Sequence, residues 1–150
     1  GHTEFGRLKD DLEQLIVRSA REAIEHAGVD PTEIDGIWMG HYNGGLVNDG
    51  FPSSLALQID PKLRFTPSTR LENACASGSA AIHGARNAIN SGSTKIALVI
   101  GVEKMTGKDT KGVTESVMTA SYQAEESEVS FPQVFSRFSH TYFQKYGNKS

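Results

Sequence analysis

The chain has 150 residues, 37% hydrophobic and 22% charged, with 15 Lys and Arg against 18 Asp and Glu for a net charge of -3. That is ordinary globular composition, long enough to bury roughly 70% of its unfolded surface in one domain. The mildly acidic balance, with no dense basic block, argues against nucleic acid and anionic lipid as partners. The longest strongly apolar stretch, Ile96 to Val102, is too short to span a bilayer.

Leu8, Leu12, Leu15, Ile16, Ala23, Ile24 and Ala27 recur at steps of three and four. This predicts one amphipathic helix ending near Gly28, with Asp30-Pro31 opening the next turn. Ile37-Trp38-Met39, between Gly36 and Gly40, reads as a buried strand, followed by a loop rich in Gly and Asn. A weaker helix is expected over Ser53 to Ile59, then an extended run from Arg64 to Leu71 that ends at Cys75.

From Ala76 to Asn90 the residues Ala80, Ala81, Ile82, Ala85, Ala88 and Ile89 give a helix with a small-residue face. Lys95 to Gly101 is the clearest strand, expected to be buried on both faces. Helices alternating with such strands predict an α/β fold with a doubly wound parallel sheet. Glu103 to Ser130 is polar, carries the acidic residues Glu125, Glu126 and Glu128, and reads as an excursion from the sheet. Phe131, Val134, Phe135, Phe138, Tyr142 and Tyr146 then follow a helical period with an aromatic face, a pattern of core or subunit interface more often than of substrate pocket.

Several motifs fail on spacing. Gly101 to Lys108 has five residues where a phosphate loop has four, and Asp109 stands where that loop needs a hydroxyl. His2, His26, His41, His83 and His140 show no paired ligand spacing and are expected to be satisfied or solvated. The Asn148-Lys149-Ser150 sequon is disregarded for want of a signal-peptide pattern, and a cytoplasmic location is expected.

Cys75 is the single cysteine, so the chain has no internal disulfide and no multi-cysteine zinc site. It stands in Asn73-Ala74-Cys75-Ala76-Ser77-Gly78-Ser79, at a strand-to-helix junction. A helix N-terminus favours negative charge by about 0.3 to 1 kcal/mol, the thiolate is the reactive form of cysteine, and the same N-H groups can bind an oxyanion. A structural cysteine packed as a small hydrophobe is the alternative, because no residue in the stretch is placed to act as its base. His83, eight residues along the helix, is about 12 Å away. Asn73 reads equally well as a helix cap, and Gly78 as a site of close packing.

Leu71-Glu72-Asn73-Ala74-Cys75-Ala76-Ser77-Gly78-Ser79-Ala80-Ala81 resembles the nucleophile segment of the thiolase superfamily. Gly101-Val102-Glu103-Lys104-Met105-Thr106 is similar to the family segment closing the next strand, with Glu-Lys-Met for Glu-Ser-Met as in its sterol-carrier-type and thiolase-like branch. The opening Gly1-His2-Thr3-Glu4-Phe5-Gly6 is similar to the family's Gly-x-Thr-x-Phe-Gly turn. Three motifs in order, covering nearly the whole chain, are far more specific than one cysteine turn.

The resemblance implies a thiolase-like amino-terminal α/β domain over residues 1–102, lacking the family's central first strand. It places an incomplete loop-domain insertion over 103–150. It further implies that Cys75 is the catalytic nucleophile and its N-H an oxyanion donor, that the substrates are coenzyme A thioesters with no permanently bound cofactor or metal, and that the protein is a homodimer or homotetramer. The family's histidine base and second cysteine belong to a carboxyl-terminal half, so the piece alone is expected to be inactive. The family's His-Met-Gly near the loop-domain helix is replaced by Val134-Phe135-Ser136. A ketosynthase-type condensing enzyme and a non-catalytic scaffold binding coenzyme A are the alternatives.

Overall fold

A computed structural model describes residues 1–126 and 130–147. Glu128 of the acidic cluster and the 148–150 sequon lie outside the described residues. The chain divides into two compact units. The first is Gly1–Asn43 with Val47–Gly107, and the second is Gly44–Leu46 with the described part of Lys108–Ser150.

In the first unit, helix α1 spans Leu12–Ala27. Its start is later than the apolar pattern suggested, because Asp11 caps it: the Asp11 carboxylate accepts from the Gln14 N-H at 2.8 Å while the Gln14 side chain accepts from the Asp11 N-H at 2.9 Å. That reciprocal pair satisfies two N-H groups and fixes the first turn. Gly28 ends the helix at φ 65°, a left-handed conformation that a residue without Cβ adopts freely.

Three parallel strands follow: β1 (Gly36–Gly40), β2 (Ser68–Leu71) and β3 (Ala97–Gly101), in the order β2-β1-β3. Helix α2 (Ser77–Asn90) makes the crossover from β2 to β3 over β1. Ile37 pairs with Ser68 on one side and with Leu98 on the other, so β1 and β3 are bonded directly. The run expected to be extended from Arg64 begins only at Ser68, since Pro61–Leu63 forms a short 3-10 helix and a turn follows it. The expected helix near Ser53 is a 3-10 helix, Pro52–Gln58.

Alternation along β1 sends Ile37 and Met39 into a core with Leu12, Ile16, Ala20 and Ile24 of α1 and Leu98 and Ile100 of β3. Trp38 lies on the opposite face, where α2 reaches it through Gly84: a Cβ there would come within 2.9 Å of the Trp38 ring and 3.3 Å of Leu71. Helices therefore cover both faces of the sheet, and the α/β expectation holds. One detail does not. Leu98 and Ile100 are buried but Val99 is 37% exposed, because among the described residues β3 has a strand neighbour on one side only. Ile82 and Ile89 of α2 are likewise exposed, and only Ala81 and Ala85 of its small-residue face are buried among the residues named above.

In the second unit the polar excursion holds two helices that composition did not reveal, α3 (Thr110–Met118) and α4 (Gln123–Glu126). Asp109 caps α3 by accepting from the Gly112 N-H at 2.8 Å. The aromatic helix is α5 (Phe131–Tyr146), with Pro132 in its first turn. Its aromatic face is exposed in the chain: Phe135, Phe138, Tyr142, Phe143 and Tyr146 are each about half or more accessible.

Candidate active site at the carboxyl end of the sheet

Parallel strands place all their carboxyl ends on one edge of the sheet, where α/β proteins bind their ligands. Three segments emerge there: His41–Asn43 after β1, Glu72–Ala76 after β2, and Val102–Glu103 after β3. Cys75 is in the middle segment and is exposed, so the packed-hydrophobe alternative does not describe it.

The cysteine turn is laced by its own polar groups. The Ala76 N-H donates to the Asn73 carbonyl at 2.8 Å and the Ser77 N-H to the Ala74 carbonyl at 3.1 Å. The Ser77 hydroxyl accepts from the Asn73 N-H at 2.9 Å and donates to the Ala74 carbonyl at 2.7 Å. Ser77 is 5% exposed, so these bonds are shielded from water. The Glu72 carboxylate accepts from the Ala74 N-H at 2.5 Å. Ala74 is thereby held at φ 45°, a region that costs a residue with a Cβ roughly 1–2 kcal/mol. Strain of this kind, held in place by the bonds around it, gathers at functional turns.

Two readings of neighbouring residues change. The residue at the start of α2 is Ala76, without a side-chain cap, and Asn73 joins the turn through its backbone N-H. The close approach runs from Gly40 to the first turn of α2: a Cβ on Gly40 would lie 2.6 Å from the Ser77 carbonyl oxygen and 2.7 Å from Gly78. Gly40 is thus the seat on which the start of α2 rests. At the start of α2 the Ser77 N-H is taken by the Ala74 carbonyl and the Ala80 N-H by that of Ala76. The N-H groups between them, of Gly78 and Ser79, have no carbonyl a turn earlier within the helix and point the way a helix start binds a negative oxygen.

Beside this turn stands a charged cluster that motif reading missed. His41 is fully buried, neither solvated nor fully satisfied: its Nδ1 is 2.9 Å from the Val102 carbonyl and 3.4 Å from Glu103 Oε1, while Nε2 has no hydrogen-bond partner among the described residues. The Glu103 carboxylate also accepts from the Tyr42 N-H and, at 3.2 Å, from the Asn43 N-H. From β2, Arg70 donates through Nε to the His41 carbonyl at 2.9 Å and through Nη2 to the Tyr42 carbonyl at 2.8 Å.

Burial works against charge on His41, but the Glu103 carboxylate and the Val102 carbonyl outweigh it and raise its pKa above the ordinary value. Burial also opposes charge on Glu103, which is held below its ordinary value by His41 and the two N-H donors. Sequence signals for this cluster were weak, because His41, Arg70 and Glu103 are 29 to 62 residues apart. Among the described residues no group of three His, Cys, Asp or Glu side chains could hold a metal ion. His83 is exposed on α2.

Residues 2–144 match the family model described as thiolase, N-terminal domain. The chain belongs to the thiolase family. An acetyl-CoA acetyltransferase of Methanocaldococcus jannaschii is 37% identical over 151 aligned positions, covering 98% of this chain and 38% of that protein. Its counterpart from Methanothermobacter thermautotrophicus is 34% identical, covering 97% and 38%. A 6-methylsalicylic acid synthase of Aspergillus niger is 31% identical over 65% of this chain and 7% of its own length. The thiolase chain thus spans 38% of the length of the two acetyltransferases it matches.

Proposed function

We propose that this chain is the nucleophile-bearing part of an acyl-CoA C-acyltransferase that forms or cleaves 3-ketoacyl-CoA through an acyl-Cys75 intermediate. The observation that carries the reading is the exposed Cys75 on a strained, hydroxyl-laced turn at the carboxyl end of a parallel sheet. The Cys75 thiolate attacks the thioester carbonyl carbon; the new carbon-sulfur bond forms as the bond to coenzyme A breaks, and coenzyme A leaves as its thiolate. The Cys75 N-H and the start of α2 supply donors to the oxygen that becomes negative in between.

A base then removes the α-proton of a second acyl-CoA, and the carbanion attacks the acyl-cysteine carbonyl. The carbon-carbon bond forms and Cys75 is released as thiolate. The base and the acid that complete this step are assigned to the carboxyl-terminal half, as in the family. Coenzyme A thioesters serve as substrates with no permanently bound cofactor, and the complete protein is a cytoplasmic homodimer or homotetramer of lipid metabolism. Among the described residues no helix is long and apolar enough to cross a membrane.

The test is peptide mass spectrometry of the complete parent protein after incubation with acetyl-CoA or acetoacetyl-CoA, beside Cys75→Ala. An acetyl adduct on the Cys75 peptide, absent from the variant, is the expected result. A folded protein that binds coenzyme A and stays unmodified with short and long acyl donors would overturn the reading in favour of a scaffold. The likeness to 6-methylsalicylic acid synthase, and to a phenolphthiocerol synthesis polyketide synthase of Mycobacterium bovis at 28% identity, favours a ketosynthase-type enzyme as second reading. Transfer from an acyl carrier protein in preference to coenzyme A would select it.

A further inference from the structure

The segment after β1 is gripped from both sides. Arg70 holds the carbonyls of His41 and Tyr42 from β2, at 2.9 and 2.8 Å. Glu103 holds the N-H groups of Tyr42 and Asn43 from the end of β3. Four backbone groups of three successive residues are thus bonded to two charged side chains, and bonds to charged partners are about twice as strong as neutral ones. Asn43 sits at φ 67°, a second residue with a Cβ held in the left-handed region, and its side-chain oxygen accepts from the Val47 N-H at 2.9 Å. Among the described residues, both left-handed residues that carry a Cβ, Asn43 and Ala74, follow strands on the same edge of the sheet.

The grip is connected to the cysteine turn by two short links. The His41 N-H donates to the carbonyl of Leu71, the last residue of β2, at 3.2 Å. Gly40, immediately before His41, is in contact with Ser77 and Gly78, whose first-turn backbone and hydroxyl close the turn around Cys75. Both the entry to the turn and its exit therefore rest on Gly40-His41, which runs directly into the segment His41 to Asn43 that Arg70 and Glu103 hold. Neither side chain is needed to complete the hydrophobic core, which lies with Ile37 and Met39 and contains neither.

We infer that Arg70 and Glu103 are positioning residues for the acylation of Cys75: they lock the segment after β1 and thereby aim the cysteine turn at the thioester. This rests on the acyl-transfer reading above. Reacting atoms must be held close to their productive geometry, and a displacement of about 1 Å costs on the order of a hundredfold in rate. The side chains act through Gly40-His41 and not on the substrate itself, so their loss slows the step without weakening capture of the thioester.

The experiment compares the complete protein with Glu103→Gln, Arg70→Lys and the double variant. Glutamine removes the charge and lysine the paired donors. Acylation of Cys75 by acetyl-CoA is followed in single turnover over a range of concentrations, and alkylation by iodoacetamide is followed in parallel. Expected is a fall of about tenfold or more in the maximal acylation rate of each single variant. The half-saturating acetyl-CoA concentration and the alkylation rate should stay within about twofold, and the double variant should be slower by less than the product of the two, since both act on one segment. Acylation rates equal to wild type would overturn the inference while leaving the acyl-transfer reading intact. An unmodified wild type would instead sink the acyl-transfer reading. If one variant fails to fold, the other decides the matter alone. A uniform loss of acylation and alkylation would mean that the cluster is merely structural, which also overturns it.

Discussion

At the scale of single residues, the pair His41 and Glu103 shows how burial and partnership compete. Burial alone would discharge the imidazole, yet the carboxylate 3.4 Å away raises its pKa from the ordinary 6.5. Glu103 moves the other way, below the ordinary 4.5, despite its own desolvation. A pKa raised in the fold contributes stability that is complete below the unfolded value and fades as pH climbs through the folded one. A lowered pKa contributes stability that is complete above the unfolded value and fades as pH falls through the folded one. The pair is therefore fully effective between about pH 4.5 and 6.5, and its contribution declines above that window. Urea unfolding of the complete protein at pH 5.5 and 8.5 checks this. The loss of stability between the two values should be smaller in Glu103→Gln than in wild type, because without the carboxylate the His41 pKa falls back toward its ordinary value. An equal loss in both would show that the pair is not coupled.

At the scale of elements, the decisive contact is helix against strand. α2 starts where Gly40 of β1 offers no side chain, and Gly84, two turns on, admits the ring of Trp38. Close approach at these two points fixes where the helix begins and hence where Cys75 projects. Gly40→Ala would set a methyl 2.6 Å from the Ser77 carbonyl oxygen, an overlap with backbone that no rotamer relieves. Such overpacking costs about 1–3 kcal/mol, so the variant should unfold at lower denaturant. It should also acylate more slowly, since relief requires the first turn of α2 to shift. A variant with unchanged midpoint and unchanged acylation would show that α2 is not seated there.

At the scale of the whole molecule, the two units differ in how they use apolar residues. The first buries its large aliphatics around α1 and the three strands. In the second, α5 has no buried residue, and Phe138 is 72% exposed. An exposed side chain has little area left to lose on unfolding. Phe138→Gln should therefore alter the unfolding free energy of the 150-residue chain by less than about 0.5 kcal/mol. A larger loss, read by urea denaturation, would mean that the ring is covered in solution.

How much was legible follows the range of the forces involved. Local signals sufficed where partners are close in sequence: the period of α1, the Gly28 stop, the apolar runs of β1 and β3, and the strand-to-helix junction carrying Cys75 all rest on neighbours within a turn or a strand. The three ordered motifs carried the family as well. Helix α3 escaped notice because its composition is polar, and the extended run was overlong because Pro61 starts a 3-10 helix that periodicity does not register. By itself, then, the sequence determined the α/β class, the order of the main elements and the strand-to-helix junction that carries Cys75. Only the tertiary structure decided that β3, among the described residues, has a strand on one side alone, that Gly40 seats α2, and that His41, Arg70 and Glu103 meet. Those contacts join residues 29 to 62 positions apart, and no local pattern encodes which distant partner a side chain will find.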